Sequence, residues 1–571
     1  MKSTGAALVV KALEDEGIPF AFGIPGTHNI ELYDALAESK IVRPVLVTDE
    51  QSAGFMADAV WRASGRMACV NVVPGAGLTH ALSGVAEAFL DNVPMLVLGC
   101  GIRRDTGKAF QLHDVDQLAL VRPITKGQFR PERGEDLYPT IRRACRLARE
   151  GAPGPVMVEV PANLYLFRYE AGPPDLEPAP PPLGPSAAQV ERVVELLGKA
   201  RRPLLYVGLG AQGALAELKS LAERLEAPVA TTIQGKGVFP ESHPLFLWPG
   251  FGAAGPPFVR RIAGERDLTL AIGCRFGEVG TGSYGLTPPR PLIHVDIDPR
   301  VLGRNFKAAI GIACDARAFL QALLPRLPDR VADEDLRRRI HEGHAGVQRE
   351  WREGAGSRVT PALLLDALQD RFGPDTIFTT DSGNGTFLAM ECLRLDRPGQ
   401  FLAPVDYSCM GYSVPAAIGA KLARPEAPVV ALVGDGAFLM TGLEILTAAH
   451  HGIAAAFWVL RDRELAQIAQ FQKVAMNRTA QSELPDYDLA SVCRGLGVEC
   501  LRLERDAETR WVLDRVEAVT AGGRPVVVDV AIDYSRRTYF TSGVVHTNLG
   551  RLPWPDRLRF LARAIGRRIT G

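Results

Sequence analysis

The stretch 429–465, VVALVGDGAFLMTGLEILTAAHHGIAAAFWVLRDREL, decides the fold. An apolar run enters Gly434-Asp435-Gly436, a helical pattern follows, and a second apolar run ends at Arg461-Asp462. Apolar runs joined by a helix are the mark of parallel strands covered on both faces. The glycines allow backbone amides to approach a phosphate, and a helix starting near Ala437 offers free N–H groups and a favourable dipole. Asp435 and Asp462 close neighbouring strands, so both carboxylates can meet one hard cation. A divalent ion held by a few protein oxygens plus diphosphate oxygens is the usual Mg2+ arrangement. An Asp in such a turn can also simply cap the helix, but a second carboxylate arriving one strand later favours the cation.

The same alternation extends outward in both directions. Residues 1–165 contain VRPVLVTDE, MACVNVVPGAG, VPMLVLGC and GPVMVEVP, each stopping at Gly, Pro or a polar residue. The segment 172–185, GPPDLEPAPPPLGP, is too rich in proline for helix or sheet and reads as a stiff linker. A second block carries RPLLYVG, APVATT, LTLAIGC and PLIHVDID, and a third carries DTIFTTD, APVVALVGD, AAFWVLRD and RPVVVDVAID. The reading is α/β, with three doubly wound parallel-sheet domains at 1–170, 189–345 and 346–545, a linker at 171–188 and a tail at 546–571. In such sheets ligands sit at the carboxyl ends of strands, which singles out the GDG turn and Glu50 after PVLVT.

With 571 residues the chain exceeds what one core supports. Lys plus Arg and Asp plus Glu each total 65, so the formal net charge is zero, which argues against a nucleic-acid binder. Apolar residues at 47% and charged residues at 23% are those of a globular protein. No run of about 18 apolar residues suggests a spanning helix. The opening MKSTGAALVVKALEDEGI reads as an amphipathic helix, not a signal peptide. Nine scattered Cys without metal spacing fit a reduced, cytoplasmic protein.

At this point the chain resembles the thiamine-diphosphate enzymes, whose motif is GDG followed one helix and one strand later by an Asn-Asn pair; here Arg461-Asp462 stands in that place. The stretch 49–99, DEQSAGFMADAVWRASGRMACVNVVPGAGLTHALSGVAEAFLDNVPMLVLG, resembles the pyrimidine-binding domain of the acetolactate synthase branch. The segment 407–425, YSCMGYSVPAAIGAKLARP, is similar to that branch's GLGTMGFGLPAAIGA text. The middle block, with QGKGVFPESHPL and IHVDIDPRVLGRNFK, looks like the same branch.

The resemblance implies thiamine diphosphate and Mg2+ as cofactors, with Asp435, Asp462 and the carbonyl of Glu464 on the metal. It implies that Glu50 protonates the aminopyrimidine and that Met410 is the wedge under a bent cofactor, with Ser408 and Met410 backbone groups touching the pyrimidine. Gly75, Asn384, Gly385, Gly434, Gly436, Ala437 and Leu465 fall among the cofactor-binding positions. The tautomer chemistry needs a shielded acid, and Val47, Ala53, Phe55 and Met56 supply apolar surroundings for Glu50. Because the pyrimidine and diphosphate sites lie on different domains, which in this family come from different subunits, the resemblance implies a homodimer or a dimer of dimers (a homotetramer).

His28, Gln111 and His80 are the acid–base candidates, with His113 close to them in sequence. Gln467, Ile468 and Phe471 are expected to roof the pocket. Ile468 replaces the glutamate that decarboxylases use when aldehyde is released, which disfavours a simple decarboxylase. WPGFGAAG replaces the GMHGT text of flavin-bearing relatives, so FAD is not supported, and Arg275 is the one matched residue toward it.

The reading is therefore a carboligase taking a 2-oxo acid or hydroxyketone donor and a second carbonyl as acceptor. The alternative is a carbon–carbon lyase or decarboxylase on the same fold. A nucleotide-binding protein of another class is disfavoured, because no GxGxxG follows the first strand and Gly208-Leu-Gly210 is a weak substitute. The C-terminal WPDRLRFLARAIGRRITG puts Trp554, Leu558, Leu561 and Ile565 on one stripe, with Arg557, Arg559, Arg563, Arg567 and Arg568 elsewhere on the helix. Such a helix suits docking on a neighbouring subunit or closing the active site; peripheral contact with an anionic membrane is the lesser reading.

Overall fold

In the computed structural model, which describes residues 2–171, 181–353 and 357–570, the apolar runs become three six-stranded sheets. The N-terminal sheet runs, in spatial order, Arg43–Leu46, Phe20–Gly23, Cys69–Val72, Leu96–Gly101, Val156–Pro161, Gly127–Phe129. The C-terminal sheet repeats that order of connections with Phe401–Leu402, Ile377–Thr380, Val429–Gly434, Ala456–Arg461, Val526–Ala531, Glu499–Leu503. The central sheet is wound differently: Phe246–Pro249, Val229–Thr231, Pro203–Val207, Leu268–Ile272, Leu292–Asp296, Ile310–Ala313. Neighbouring strands in all three sheets are parallel. The expected class, three doubly wound α/β domains, is the one observed.

In each sheet the direction of winding reverses beside the first strand of the domain, and a crevice opens there beyond the carboxyl ends of the strands. In the C-terminal sheet the reversal lies between Ile377–Thr380 and Val429–Gly434. In the N-terminal sheet it lies between Phe20–Gly23 and Cys69–Val72. The residues that follow these strands and their immediate neighbours, Arg43–Leu46 and Ala456–Arg461, supply the candidate site.

The first and last domains are bound through the helix Glu50–Ser64. Gly54 on it meets Gly84 of the helix Ala76–Leu90 so closely that a Cβ on Gly54 would lie 2.7 Å from the Gly84 Cα. On its other side a Cβ on Gly419 of the helix Ser413–Ala423 would lie 2.4 Å from the Met56 carbonyl oxygen. Backbones at this separation exclude any side chain, so glycine is required at all three places. Phe55, Met56 and Ala59 of the first domain share one buried apolar cluster with Val414, Ala416, Ala417 and Val433 of the last.

The expected boundaries differ from the elements in three places. The helix Ala187–Lys199, capped by Ser186, begins inside the 171–188 linker, whose residues 172–180 lie outside the described set. The 345/346 boundary cuts the helix Glu334–Arg352. Its Leu336, Ile340, Val347 and Trp351 are buried, and it packs on both Pro257–Gly264 and Pro361–Phe372, so it belongs to both neighbours. The 545/546 boundary cuts the helix Tyr539–Arg551. After it, Trp554–Thr570 packs on the helix Ala466–Met476, and Arg567 donates to the Met476 carbonyl at 2.8 Å. Trp554, Leu558 and Ile565 stay exposed, while the side chains of Leu561 and Arg568 lie outside the described set. No helix among the described residues is long and apolar enough to cross a membrane.

Candidate active site

The strand Val429–Gly434 delivers Asp435 to the first position of the helix Asp435–Thr441. One Asp435 carboxylate oxygen accepts the Gly436 N–H at 2.8 Å and the other accepts the Arg463 N–H at 2.8 Å. The turn after the neighbouring strand is thereby fixed, and with it Asp462, whose carboxylate accepts the Glu464 N–H at 3.3 Å. Burial and then the negative charge of Asp435 push the Asp462 carboxyl up to about 7. Two like charges brought together at strand ends call for a cation between them, so these residues fit a divalent ion. Among the described residues no third acidic, His or Cys side chain joins them. Backbone carbonyls such as that of Glu464 and oxygens of a bound diphosphate would therefore complete the shell; the Glu464 side chain is turned to Lys473 at 3.1 Å. Arg461 points away from the pair, bonded to Asp529 at 2.8 Å and Asp486 at 2.9 Å.

Leu465 precedes the helix Ala466–Met476, and its N–H donates to the Ser482 carbonyl at 2.7 Å. A Cβ on Gly436 would stand 2.8 Å from Leu465 Cδ2 and 3.4 Å from Met410 Cε, so Met410, Leu465 and the GDG turn converge. Gly434 closes its strand and Ala437 is buried in the turn of helix that follows. Gln467 and Phe471 are half-buried and Ile468 is exposed on the Ala466 helix. Asn384 and Gly385 open the helix Asn384–Cys392 beside the next strand, and the Asn384 side-chain oxygen is buried without a partner among the described residues, an acceptor free for a bound group.

Met410 is carried on a loop held from beneath. Ser408 adopts a left-handed φ of 65° and its hydroxyl meets that of Ser382 at 2.8 Å. The Gly411 and Tyr412 N–H groups donate to one oxygen of Asp381, at 2.7 and 2.8 Å, and Thr441 donates to the Gly411 carbonyl at 2.7 Å. The sequence reading missed Asp381. The signal was present, because Asp381 ends the apolar run DTIFTTD as Asp435 ends its own.

The other half of the site lies on the first domain. Glu50 opens its helix behind the cap residue Asp49 and is 6% exposed. Its carboxyl lies 3.5 Å from His80 Nδ1, and a Cβ on Gly77 would lie 3.0 Å from it. Burial raises the Glu50 pKa above the ordinary carboxylate range, with Asp49 adding to the rise and His80 opposing it. Gly75 caps the Ala76 helix at a φ of 62°, its N–H donating to Gln117 at 3.3 Å. The His28 ring packs edge-on against that of His113, with centroids 5.5 Å apart, and burial followed by the His113 charge lowers its pKa. Gln111 departs from the expectation. Its amide donates to the carbonyls of Arg103 at 2.9 Å and Lys108 at 3.3 Å, so it braces its own loop, and His113 takes the place beside His28.

Glu50, His80, His28 and Gly75 thus form one group, and Met410, Asp435, Asp462, Leu465 and Asn384 another. The polar groups that perturb Glu50 all belong to its own domain. Exposed apolar side chains neighbour both groups along the chain: Ile30 after His28 and Leu46 before Glu50, and Leu439, Met440, Leu443 and Leu446 after the GDG turn.

The central domain holds a crevice of about 380 Å3 at its own winding reversal, lined in part by Gly210, Gln212, Asp296 and Asp298. Arg275 is engaged at its edge, donating to the Leu90 carbonyl, to Asn92 at 3.1 Å and to Asp406 at 2.5 Å. The one residue matched toward FAD is therefore bound up in a junction of three domains.

Comparison with known proteins assigns the three domains to one family. The model of the thiamine pyrophosphate enzyme N-terminal TPP binding domain matches residues 3–120, that of the central domain 190–323, and that of the C-terminal TPP binding domain 381–530. The acetolactate synthase large subunit of Corynebacterium glutamicum is 32% identical over 554 residues, covering 93% of this chain and 87% of its own. The probable acetolactate synthase large subunit of Methanocaldococcus jannaschii is 32% identical over 556 residues, covering 93% and 92%. The isozyme 1 large subunit of Escherichia coli is 29% identical over 544 residues, covering 94% and 95%.

Proposed function

The chain belongs to the thiamine pyrophosphate enzymes, and from that premise we propose that it is a Mg2+-dependent carboligase of the acetolactate synthase type. It would take a 2-oxo acid such as pyruvate as donor and a second carbonyl compound as acceptor. The observation that carries the reading is Glu50, a nearly buried acid opening the helix after the edge strand of the first domain's sheet, in a chain whose last domain pairs Asp435 with Asp462 at the ends of two adjacent strands.

When bound, thiamine diphosphate supplies a carbanion that adds to a carbonyl and takes up the electron pair of the adjoining carbon–carbon bond. The chain's own residues do the rest. Asp435, Asp462 and the Glu464 carbonyl would hold Mg2+ and, through it, the diphosphate. Asn384, Gly385, Gly434, Gly436 and Ala437 would line the diphosphate cradle. Met410 and Leu465 provide the apolar wedge, and Ser408 the polar backbone beside it. Glu50 would share its carboxyl proton with the pyrimidine ring, which suits a shielded acid whose pKa is raised. His28 and His113 would exchange protons with the substrate carbonyl oxygen.

A second copy of the chain would bring one group of residues over the other. The exposed Leu439, Met440, Leu443 and Leu446 support a homodimer, or two such dimers together, because apolar patches of this kind mark association surfaces. A cytoplasmic location fits the free cysteines among the described residues.

Incubation of the purified protein with thiamine diphosphate, Mg2+ and pyruvate, read by mass spectrometry, tests the proposal. Acetolactate or another coupled product is expected. Acetaldehyde as the sole product would overturn carboligation in favour of the lyase reading.

A further inference from the structure

The Met410 loop does not satisfy its own backbone. Val405 and Asp406 N–H groups donate to Asp91 at 3.4 and 3.3 Å, and the Cys409 N–H donates to Glu87 Oε2 at 2.9 Å. Both acids come from the first domain, Glu87 inside the helix Ala76–Leu90 and Asp91 at its end. Ser408, next to Cys409, is held at a left-handed φ of 65°, which a residue with a side chain enters only when its surroundings insist.

Glu87 is completely buried, and its Oε1 has no partner among the described residues. The nearby cations are already engaged. Arg62 pairs with Asp58 and with Asp91, both at 2.7 Å, while Arg275 pairs with Asp406 at 2.5 Å. Tyr412 donates to Asp58 at 2.5 Å. Burial, followed by the Asp91 charge, pushes the Glu87 carboxyl well above the ordinary carboxylate range, which favours its uncharged form. An uncharged carboxyl is retained in the interior where its oxygen has a specific donor to hold.

We propose that Glu87 is a positioning residue of the active site: it fixes the Cys409 N–H and, through that bond, sets Ser408 and Met410 against the cofactor. The inference rests on the proposed role of Met410 as the wedge under thiamine diphosphate. Glu87 shares its helix with His80, so one helix would present His80 to Glu50 and Glu87 to the wedge loop.

The test compares Glu87→Leu, Glu87→Gln and Met410→Ala in the full-length protein loaded with thiamine diphosphate and Mg2+. Three quantities are read: cofactor affinity by calorimetry, C2–H exchange of the bound cofactor by NMR after acid quench, and kcat. Exchange of the Cys409 amide, followed by mass spectrometry in the cofactor-free protein, reports whether the loop bond is lost.

For Glu87→Leu we expect faster Cys409 amide exchange, with C2–H exchange and kcat slowed roughly ten- to hundredfold, the worth of one buried hydrogen bond. Cofactor affinity should change by less than about threefold. A merely structural role would lower the yield of folded protein but not C2–H exchange per bound cofactor. Glu87→Gln, a neutral acceptor of the same length, should recover most of the loss. If Met410→Ala is impaired while Glu87→Leu turns over as the parent does, the inference is overturned and the wedge reading stands. If Met410→Ala itself behaves as the parent, both fall. Should Glu87→Leu not fold, Glu87→Asp replaces it, since it withdraws the carboxyl by one methylene; parental C2–H exchange in that variant overturns the proposal.

Discussion

Replacing Glu50 by Gln separates binding from proton handling, because the amide keeps the shape and hydrogen-bonding reach of the side chain but cannot give up a proton in the same way. Glu50 is 6% exposed and burial already raises its pKa, so little water competes for its proton. The variant exchanges a stronger hydrogen bond for a weaker one, worth about 1 kcal/mol, or roughly fivefold in cofactor affinity. Turnover loses the whole acid contribution, typically about 100- to 10,000-fold, or roughly 3–5 kcal/mol of barrier. The sign of the pH effect follows. An acid whose pKa is raised keeps its proton to higher pH than an exposed carboxylate, so the limb that needs the proton declines as pH rises through the raised value. Gln should remove that limb. Calorimetric titration with thiamine diphosphate and Mg2+, alongside kcat for pyruvate consumption from pH 5 to 9, measures both effects. Parental turnover in Glu50→Gln would refute the proton role. An equal collapse of affinity and turnover would refute the division between them.

Asp462→Asn removes the like charge beside Asp435; the cofactor-free protein should melt higher, and the further rise on adding Mg2+ with thiamine diphosphate should shrink, both read by differential scanning fluorimetry. Leu443→Asp with Met440→Asp places charges in the exposed apolar stripe and should shift the protein to monomer in light scattering, with activity lost in parallel. Glu241→Gln strands Lys236, whose ammonium lies 2.7 Å from Glu241 with both side chains fully buried, and should cost about 3–5 kcal/mol in denaturant unfolding. Burial and the Asp91 charge raise the Glu87 pKa in the fold above that of an unfolded glutamate, opening a pH window between the two values. The unfolded state therefore binds fewer protons, stability declines as pH rises across that window, and Glu87→Gln should flatten this decline in melts taken from pH 5 to 9.

Where sequence and structure agree, the reason is burial. Strands such as Val429–Gly434 and Leu268–Ile272 are apolar on both faces, so their runs stand out. The strands left unread are mostly edges: Gly127–Phe129, Phe246–Pro249, Ile310–Ala313, Phe401–Leu402 and Glu499–Leu503. An edge strand pairs on one side only and needs no long apolar run, as the two residues Phe401–Leu402 illustrate. Phe20–Gly23 was missed inside a sheet because FAFG is short and set between prolines.

The site divides along a similar line. The places of Asp435, Asp462 and Glu50 just beyond strands were legible from the apolar runs that precede them. Glu87 was not, because an acid inside an apolar helix discloses its purpose only when the loop it holds, far along the chain, is seen beside it. Gln111 shows the converse, since a matching letter does not reveal that neighbouring carbonyls have already claimed its amide.

The three-glycine sandwich around the Glu50 helix has a temporal side. Phe55 and Met56 emerge from the ribosome early, yet their cover, the Ser413–Ala423 helix, is among the late pieces to be made. The first domain therefore waits through most of synthesis with a greasy seam uncovered, and the nascent chain is exposed to mispairing throughout that interval. Slowing the ribosome within the central third of the message should aggravate aggregation of this protein more than slowing it near the end.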